Sequence, residues 1–227
     1  MRRSLPFVLI LLTAGPALAA GDPFEGANRR VHALNQALHS HVFSPLATLY
    51  RTHTPPAVRE GITHAVANMA EPITAVSATL AGEFAQAGNA AARFAINTTL
   101  GLGGTRDAAA GLGYPRAAMG LGDTLCRWGV PSGPFLMLPI FGPSTLRDAA
   151  ALAATSAALS QAVGSDALLA WSATEHFNAY AERHPSILRI GMESLDPYAT
   201  YRSAYLQRRA AACPGDAVQD AWAMAED

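Results

Sequence analysis

Lysine is missing from this chain: all sixteen of its basic residues are arginine. Charge of either sign is scarce, 15% of 227 residues, and the formal net charge is −1. No basic block occurs, so the electrostatic footprint that a polyanion requires is absent and nucleic acid is excluded as a partner. Cysteine occurs only at 126 and 213, in no metal-ligand spacing, and no H-E-x-x-H is found among the seven histidines. His39 and His41 could chelate in principle, but on a helix they point to different faces. No metal and no cofactor is expected.

Motifs of catalysis are lacking as well. Around Ser132 the order is Gly129-Val130-Pro131-Ser132-Gly133, which misses the spacing of a hydrolase elbow and puts a proline before the serine. Gly101-Leu102-Gly103-Gly104-Thr105 has neither a preceding strand nor the spacing of a phosphate-cradling loop. Without a nucleotide site the chain cannot itself drive uphill transport, and an enzyme is not expected. No repeat, low-complexity block or dividing linker is visible, so the length fits one domain.

What is present is oily helix broken by proline and glycine. Half the residues are apolar, with 15 Pro and 19 Gly. Residues 1–20 read as an export signal: Arg2 and Arg3, an apolar stretch from Leu5 to Thr13, and small residues at Ala17-Leu18-Ala19. Asp22-Pro23 opens a helix with Val31, Leu34 and Leu38 at helical spacing, and Pro45 restarts the chain. Val58, Ile62, Ala65, Val66 and Met69 form the next stripe, which Glu71-Pro72 is expected to end before a short helix over Ile73, Val76 and Leu80. A helix over 83–100 follows, ended by Gly101, Gly103 and Gly104. Ser144 is expected to cap a helix to about Leu159, Asp166 to Arg183 another ended by His184-Pro185, and Asp196-Pro197 a last one to about Arg209. Ala149 to Trp171 comes nearest to a membrane span, but Gln161, Gly164, Ser165 and Asp166 interrupt it, so two shorter helices fit better. The tail over 213–227 is expected to be flexible.

The stretch from Leu121 to Asp148 stands apart. Gly129, Pro131, Gly133 and Pro134 break the backbone, Phe135 to Leu138 is a short apolar run, and Pro139, Gly142 and Pro143 break it again. This is the one good candidate for extended structure, a segment or hairpin near 129–142 with apolar surroundings on both faces. The Gly/Pro cluster reads either as a tight turn using positive φ or as a flexible gating loop. Cys126 and Cys213 either pair in an oxidising compartment or stay as buried thiols.

GDTL, WGV, GPF and LPIFGPSTLRD in this stretch, with DPFEGANR near the start, NTTLGLGGTRDAA, and DPYATYRSAYLQRR near the end, resemble the VacJ/MlaA family of bacterial outer-membrane phospholipid-transport proteins. The motifs keep one order from about Asp22 to Arg209. The resemblance implies a mainly α, ring-like single domain over residues 21–212, set in the inner leaflet of the outer membrane. It implies removal of misplaced phospholipid from the outer leaflet through an amphipathic passage, delivery to a soluble periplasmic carrier (MlaC-like), and a place beside trimeric porins. By it, Gly129, Val130, Pro131, Gly133, Pro134 and Phe135 belong to the passage or a gating loop, with Pro131 standing where the family pattern has another glycine. Asp22, Pro23, Asn28, Asn97, Arg147, Asp148, Asp196, Pro197, Tyr198 and Arg202 are the motif residues expected to support fold or passage. The residues themselves allow two readings of the acidic and basic pairs, local caps and ion pairs or an arginine meeting lipid phosphate. Family members carry a cysteine just after the signal; with none before Cys126, N-terminal acylation is not expected here, and the address is the periplasmic face of the outer membrane or the periplasm. A secreted porin-binding or structural envelope protein is the alternative.

Overall fold

The computed structural model describes residues 22–213, so the expected signal over 1–20 and the tail beyond Cys213 lie outside the described residues. The described chain is mainly helical: α1 (Glu25–Leu38), α2 (Ser44–His53), α3 (Pro56–Leu80), α4 (Phe84–Thr99), α5 (Ala108–Gly111), α6 (Leu121–Arg127), α7 (Leu146–Val163), α8 (Ser165–Glu193) and α9 (Pro197–Ala212). One antiparallel hairpin, β1 (Phe135–Leu138) and β2 (Gly142–Thr145), interrupts them, with Phe135 opposite Thr145 and Leu138 opposite Gly142. The hairpin therefore falls on the apolar run and the Gly142-Pro143 break that follows it. Its connection turns through Ile140 at φ 68°. Contacts run from α3 to α6, α6 to α7, α7 to α8 and α8 back to α3, closing a circuit of helices.

Three helix boundaries differ from expectation. Pro72 lies inside α3 and Pro185 inside α8, which run for 25 and 29 residues. A proline deletes one backbone donor and crowds the turn before it, but both rings lie on exposed faces, and α3 is held by α4, α6 and α8 together. Packing on both sides of the break outweighs the local defect. Pro45 does open a new helix, since it occupies the first turn of α2, where no helical donor is needed. A π-turn, His39–Phe43, carries α1 into α2 with right-handed backbone at both joints. Ser144 is in β2, and the side chain of Thr145 caps α7 by accepting from the Asp148 N–H. Gly164, at φ 88°, separates α7 from α8, as its place in the interrupted apolar stretch anticipated.

The helices are polar inside and apolar outside. Among the described residues no leucine, isoleucine or valine is buried. The inward seam of α3 is Asn68, Glu71, Thr74 and Ser77, and that of α4 is Ala87, Ala90, Arg93 and Asn97. On the outside stand Leu34, Leu49, Val58, Val76, Phe84 and Leu169. Buried polar groups are costly unless bonded, and here they bond one another. Arg93, 2% exposed, donates to Glu71 at 2.7 Å, to Asp107 at 3.1 Å and to the Tyr114 carbonyl at 2.6 Å. Burial opposes its charge, but the two carboxylates outweigh that and raise its pKa. Asn97 links Asp107 to the start of α5 by donating at 3.1 Å and accepting from the Ala109 N–H at 2.9 Å.

The hairpin is held by the same chemistry. Asn28 and Asn35 lie seven residues apart, on one face of α1. Asn28 donates to the Phe135 carbonyl at 3.1 Å and accepts from the Met137 N–H at 2.8 Å. Asn35 donates to the Leu138 carbonyl at 3.0 Å and accepts from the Ile140 N–H at 2.8 Å. The two amides take the place of a third strand and close the free edge of β1. Replacing Asn28 by Ala orphans two buried backbone groups and is expected to destabilise the protein by about 2–3 kcal/mol. Urea unfolding measures this, and a loss below about 0.5 kcal/mol would show that the amide does not hold the strand.

Candidate functional site

A cavity of about 730 Å³ opens between α3, α6, α7 and α9. Ile73 from α3, Met119, Leu121, and Ala151, Leu152 and Thr155 from α7 give it an apolar wall. Asp123 and Arg127 of α6, Asp148 of α7, and Tyr205, Arg208 and Arg209 of α9 supply its polar lining. Each helix supplies one stripe at its own spacing: Asp148, Ala151, Leu152 and Thr155 lie on one face of α7, and Tyr205 and Arg209 one turn apart on α9.

Asp148 is the hub of the polar lining. It accepts from the Tyr205 hydroxyl at 2.6 Å and from Arg147 at 3.2 Å, and it forms an ion pair of 3.0 Å with Arg209. Arg209 reaches across to Asp123 at 2.6 Å, so α9 ties α6 to α7. Burial pushes the Tyr205 phenol up, and its bond to Asp148 pushes it further, so it stays a neutral donor. Gly122 is required for this closeness: a Cβ there would stand 2.6 Å from an Asp148 carboxylate oxygen. Arg147, itself buried, donates to the Val130 carbonyl at 3.1 Å and lies 3.8 Å from the Cys213 sulfur. Cys126 and Cys213 are joined as a disulfide with Cα atoms 6.2 Å apart, pinning the end of α9 to the end of α6.

The Gly/Pro cluster lies beside this cavity rather than around it. Gly129, Val130, Pro131 and Gly133 are exposed, and Gly129 and Gly133 take φ of 79° and 68°, the geometry of tight turns. The loop is tied down, because the Val130 N–H donates to the Leu125 carbonyl, the Arg147 N–H to the Ser132 carbonyl and the Leu146 N–H to that of Pro134. Phe135 points into the hairpin core with Met137, Tyr198 and Tyr205. The lining of the cavity comes from the helices and from residues 118–120 just before α6.

The terminal motifs meet on the far side of that core. Asp22 takes hydrogen bonds from the Phe24 N–H at 2.9 Å, from Asn28 at 2.9 Å and from the Tyr198 hydroxyl, with exposed Pro23 leading into α1. Burial works against its charge, and these bonds with Arg202 nearby outweigh it, so its pKa lies below the usual 3.8. Asp196 caps α9 at the Ala199 N–H, followed by Pro197 in the first turn, and binds Arg29 at 2.7 Å. Arg202 lies 5.9 Å from the centre of the Phe135 ring. Asn97 sits apart, in the Arg93 knot. Of the motif residues, Arg147 and Asp148 are the two that belong to the cavity network, and only Asp148 lines it. Asp123, Tyr205, Arg208 and Arg209 were not singled out from sequence; the four-residue step from Tyr205 to Arg209 was the available signal.

A family model for the MlaA lipoprotein matches residues 20–212. The chain belongs to the MlaA lipoprotein family. The intermembrane phospholipid transport system lipoprotein MlaA of Escherichia coli is 33% identical over 196 residues, which cover 82% of this chain and 76% of the relative. Its namesake in Haemophilus influenzae is 29% identical over 194 residues, 82% of this chain and 76% of that protein. An uncharacterised protein of Rickettsia felis is 35% identical over 193 residues, 84% and 77% of the two chains. A solved chain, from work on the structural basis for maintenance of bacterial outer membrane lipid asymmetry, superposes with a TM-score of 0.75 at 31% identity, covering 85% of this chain and 99% of that one. The mainly α architecture with one short hairpin is thus the MlaA architecture.

Two measurements test the ties of this MlaA-family chain. Changing Cys126 and Cys213 to Ser opens a loop spanning 87 residues and is expected to lower stability by about 2–4 kcal/mol; an unchanged melting temperature, with or without reductant, would remove the clamp. Because the folded pKa of Asp22 is depressed, its contribution is fully present above its ordinary 3.8 and is lost as pH falls through the lower folded value. The stability gap between wild type and Asp22→Asn is therefore expected to shrink below about pH 4, and a gap constant down to about pH 2 would contradict the assignment.

Proposed function

We propose that the chain transfers phospholipid between membranes: it takes misplaced phospholipid from the outer leaflet of the outer membrane through an amphipathic passage and hands it to a soluble periplasmic carrier, preserving lipid asymmetry. The observation that carries this is a cavity lined by both apolar and charged side chains, set in helices whose large apolar side chains are exposed. Moving a lipid through water would cost about 0.8 kcal/mol for each methylene, or roughly 25 kcal/mol for two chains of about 15. A slot that offers Ile73, Ala151 and Leu152 to the tails and the hydrogen-bonding groups of Asp148 and α9 to the head group removes most of that barrier, since each keeps a suitable neighbour.

Membrane contact follows from the same inversion of polarity. Exposed Leu34, Leu49, Val58, Val76, Phe84 and Leu169 offer apolar surface around the helices. No helix among the described residues is long and apolar enough to cross a membrane. In this reading they lie in one leaflet, in the manner of interfacial helices, at the periplasmic face of the outer membrane. Membership of the MlaA lipoprotein family and the likeness to the lipid-asymmetry chain support that address. The chain acts as a passive conduit, with direction set by the affinity of the carrier downstream. Trimeric porin is a neighbour in this reading, as the family resemblance implies.

Filling the cavity tests the mechanism. Thr155 lies on the α7 wall and is half-buried. Thr155→Trp is expected to fold but to leave phospholipid in the outer leaflet when it replaces the native gene, the same outcome expected of a deletion. Full restoration of asymmetry by the plugged variant would sink the conduit and leave the porin-binding scaffold as the standing alternative.

A further inference from the structure

The polar lining of the cavity holds three arginines, and their partners are unequal. Arg127 is paired with Glu83. Arg209 spans Asp123 at 2.6 Å and Asp148 at 3.0 Å. Arg208 meets no carboxylate among the described residues; its guanidinium lies 5.5 Å from the centre of the Tyr205 ring. The carboxylates that could have taken it are already engaged, Asp148 by Arg147, Tyr205 and Arg209, and Asp123 by Arg209.

We infer that Arg208 is the residue that holds the phosphodiester of the lipid head group. This rests on the lipid-transfer reading and names the group that makes the polar contact within it. The face of an aromatic ring attracts a guanidinium without occupying its N–H fork. The Tyr205 hydroxyl is turned away to Asp148, so the ring serves as a platform for Arg208 at the edge of the cavity. A fork whose N–H groups meet no carboxylate can bond two phosphate oxygens at once, which an ammonium cannot do. The acyl chains then have Ile73, Ala151 and Leu152 in the same lining. Asp123 and Asp148 are already neutralised by Arg209 and their other donors, which favours the phosphate shared by all phospholipids over a cationic head group. A neutral diacylglycerol offers nothing to Arg208.

The full chain, incubated with vesicles of phosphatidylglycerol containing diacylglycerol and then repurified, reports both lipids carried per protein. Arg208→Gln is expected to carry about fivefold to tenfold less phosphatidylglycerol and the same diacylglycerol, with Arg208→Lys in between. Arg59→Gln, which removes an equal charge at the Glu182 pair outside the cavity, is expected to match wild type. Equal phosphatidylglycerol on wild type and Arg208→Gln overturns the assignment while leaving lipid transfer standing. An equal loss of both lipids also overturns it, because it reports damage to the cavity. Wild type carrying neither lipid overturns the transfer reading itself. Finally, millimolar inorganic phosphate that displaces the lipid from wild type and binds lipid-free wild type, but not Arg208→Gln, would make this a free-phosphate site and overturn the lipid source.

Discussion

Buried polar side chains need partners, and many of the junctions among the described residues are made by meeting that need. A usual globular domain turns its apolar stripes inward and lets the hydrophobic effect hold them. Here the stripes face outward, and the seams contain Asn, Thr, Ser, Glu and Arg. Arg93 joins α3, α4 and the loop before α5; Asn28 and Asn35 join α1 to the hairpin; Asp148 and Arg209 join α6, α7 and α9. Such bonds are directional, so they specify register as well as adhesion. They also grow stronger when the surroundings are apolar, which suits a protein whose outer faces would be covered by lipid.

The cavity is a consequence of that arrangement. Small side chains at buried helix positions, Ala78, Ala87, Ala90 and Ala151, let backbones approach where they touch. Where α3, α6, α7 and α9 part, no large apolar residue fills the space, and the carboxylates and arginines of the junction face into it. The same network that stabilises the junction therefore gives the cavity its polar lining. The disulfide closes the structure at the end of α9, beside Arg147 and the loop after α6, so the Gly/Pro cluster is braced on its inner side.

Much of this was legible in the chain. The caps at Asp196-Pro197, the glycine break at 164, the extended run at Phe135–Leu138 and the motif order all read directly from residue types, because caps, turns and short strands obey local rules. Pro72 and Pro185 misled, since their local cost was outweighed by packing on both sides of each break. The arginines could not be ranked from sequence either. Arg208 and Arg209 are adjacent and identical in type, yet one spans two carboxylates and the other rests on a ring.

Residue order alone settled that the chain is helical, oily, interrupted and without a catalytic or nucleotide motif, and it carried the MlaA resemblance, because those properties depend on composition and short-range spacing. Which face of each helix points inward was decided only by the tertiary structure. An amphipathic helix has two faces, and periodicity is the same whichever one is buried; the partners that satisfy Asn28, Glu71, Arg93 and Asp148 come from segments distant in the chain, and only their meeting determines the answer.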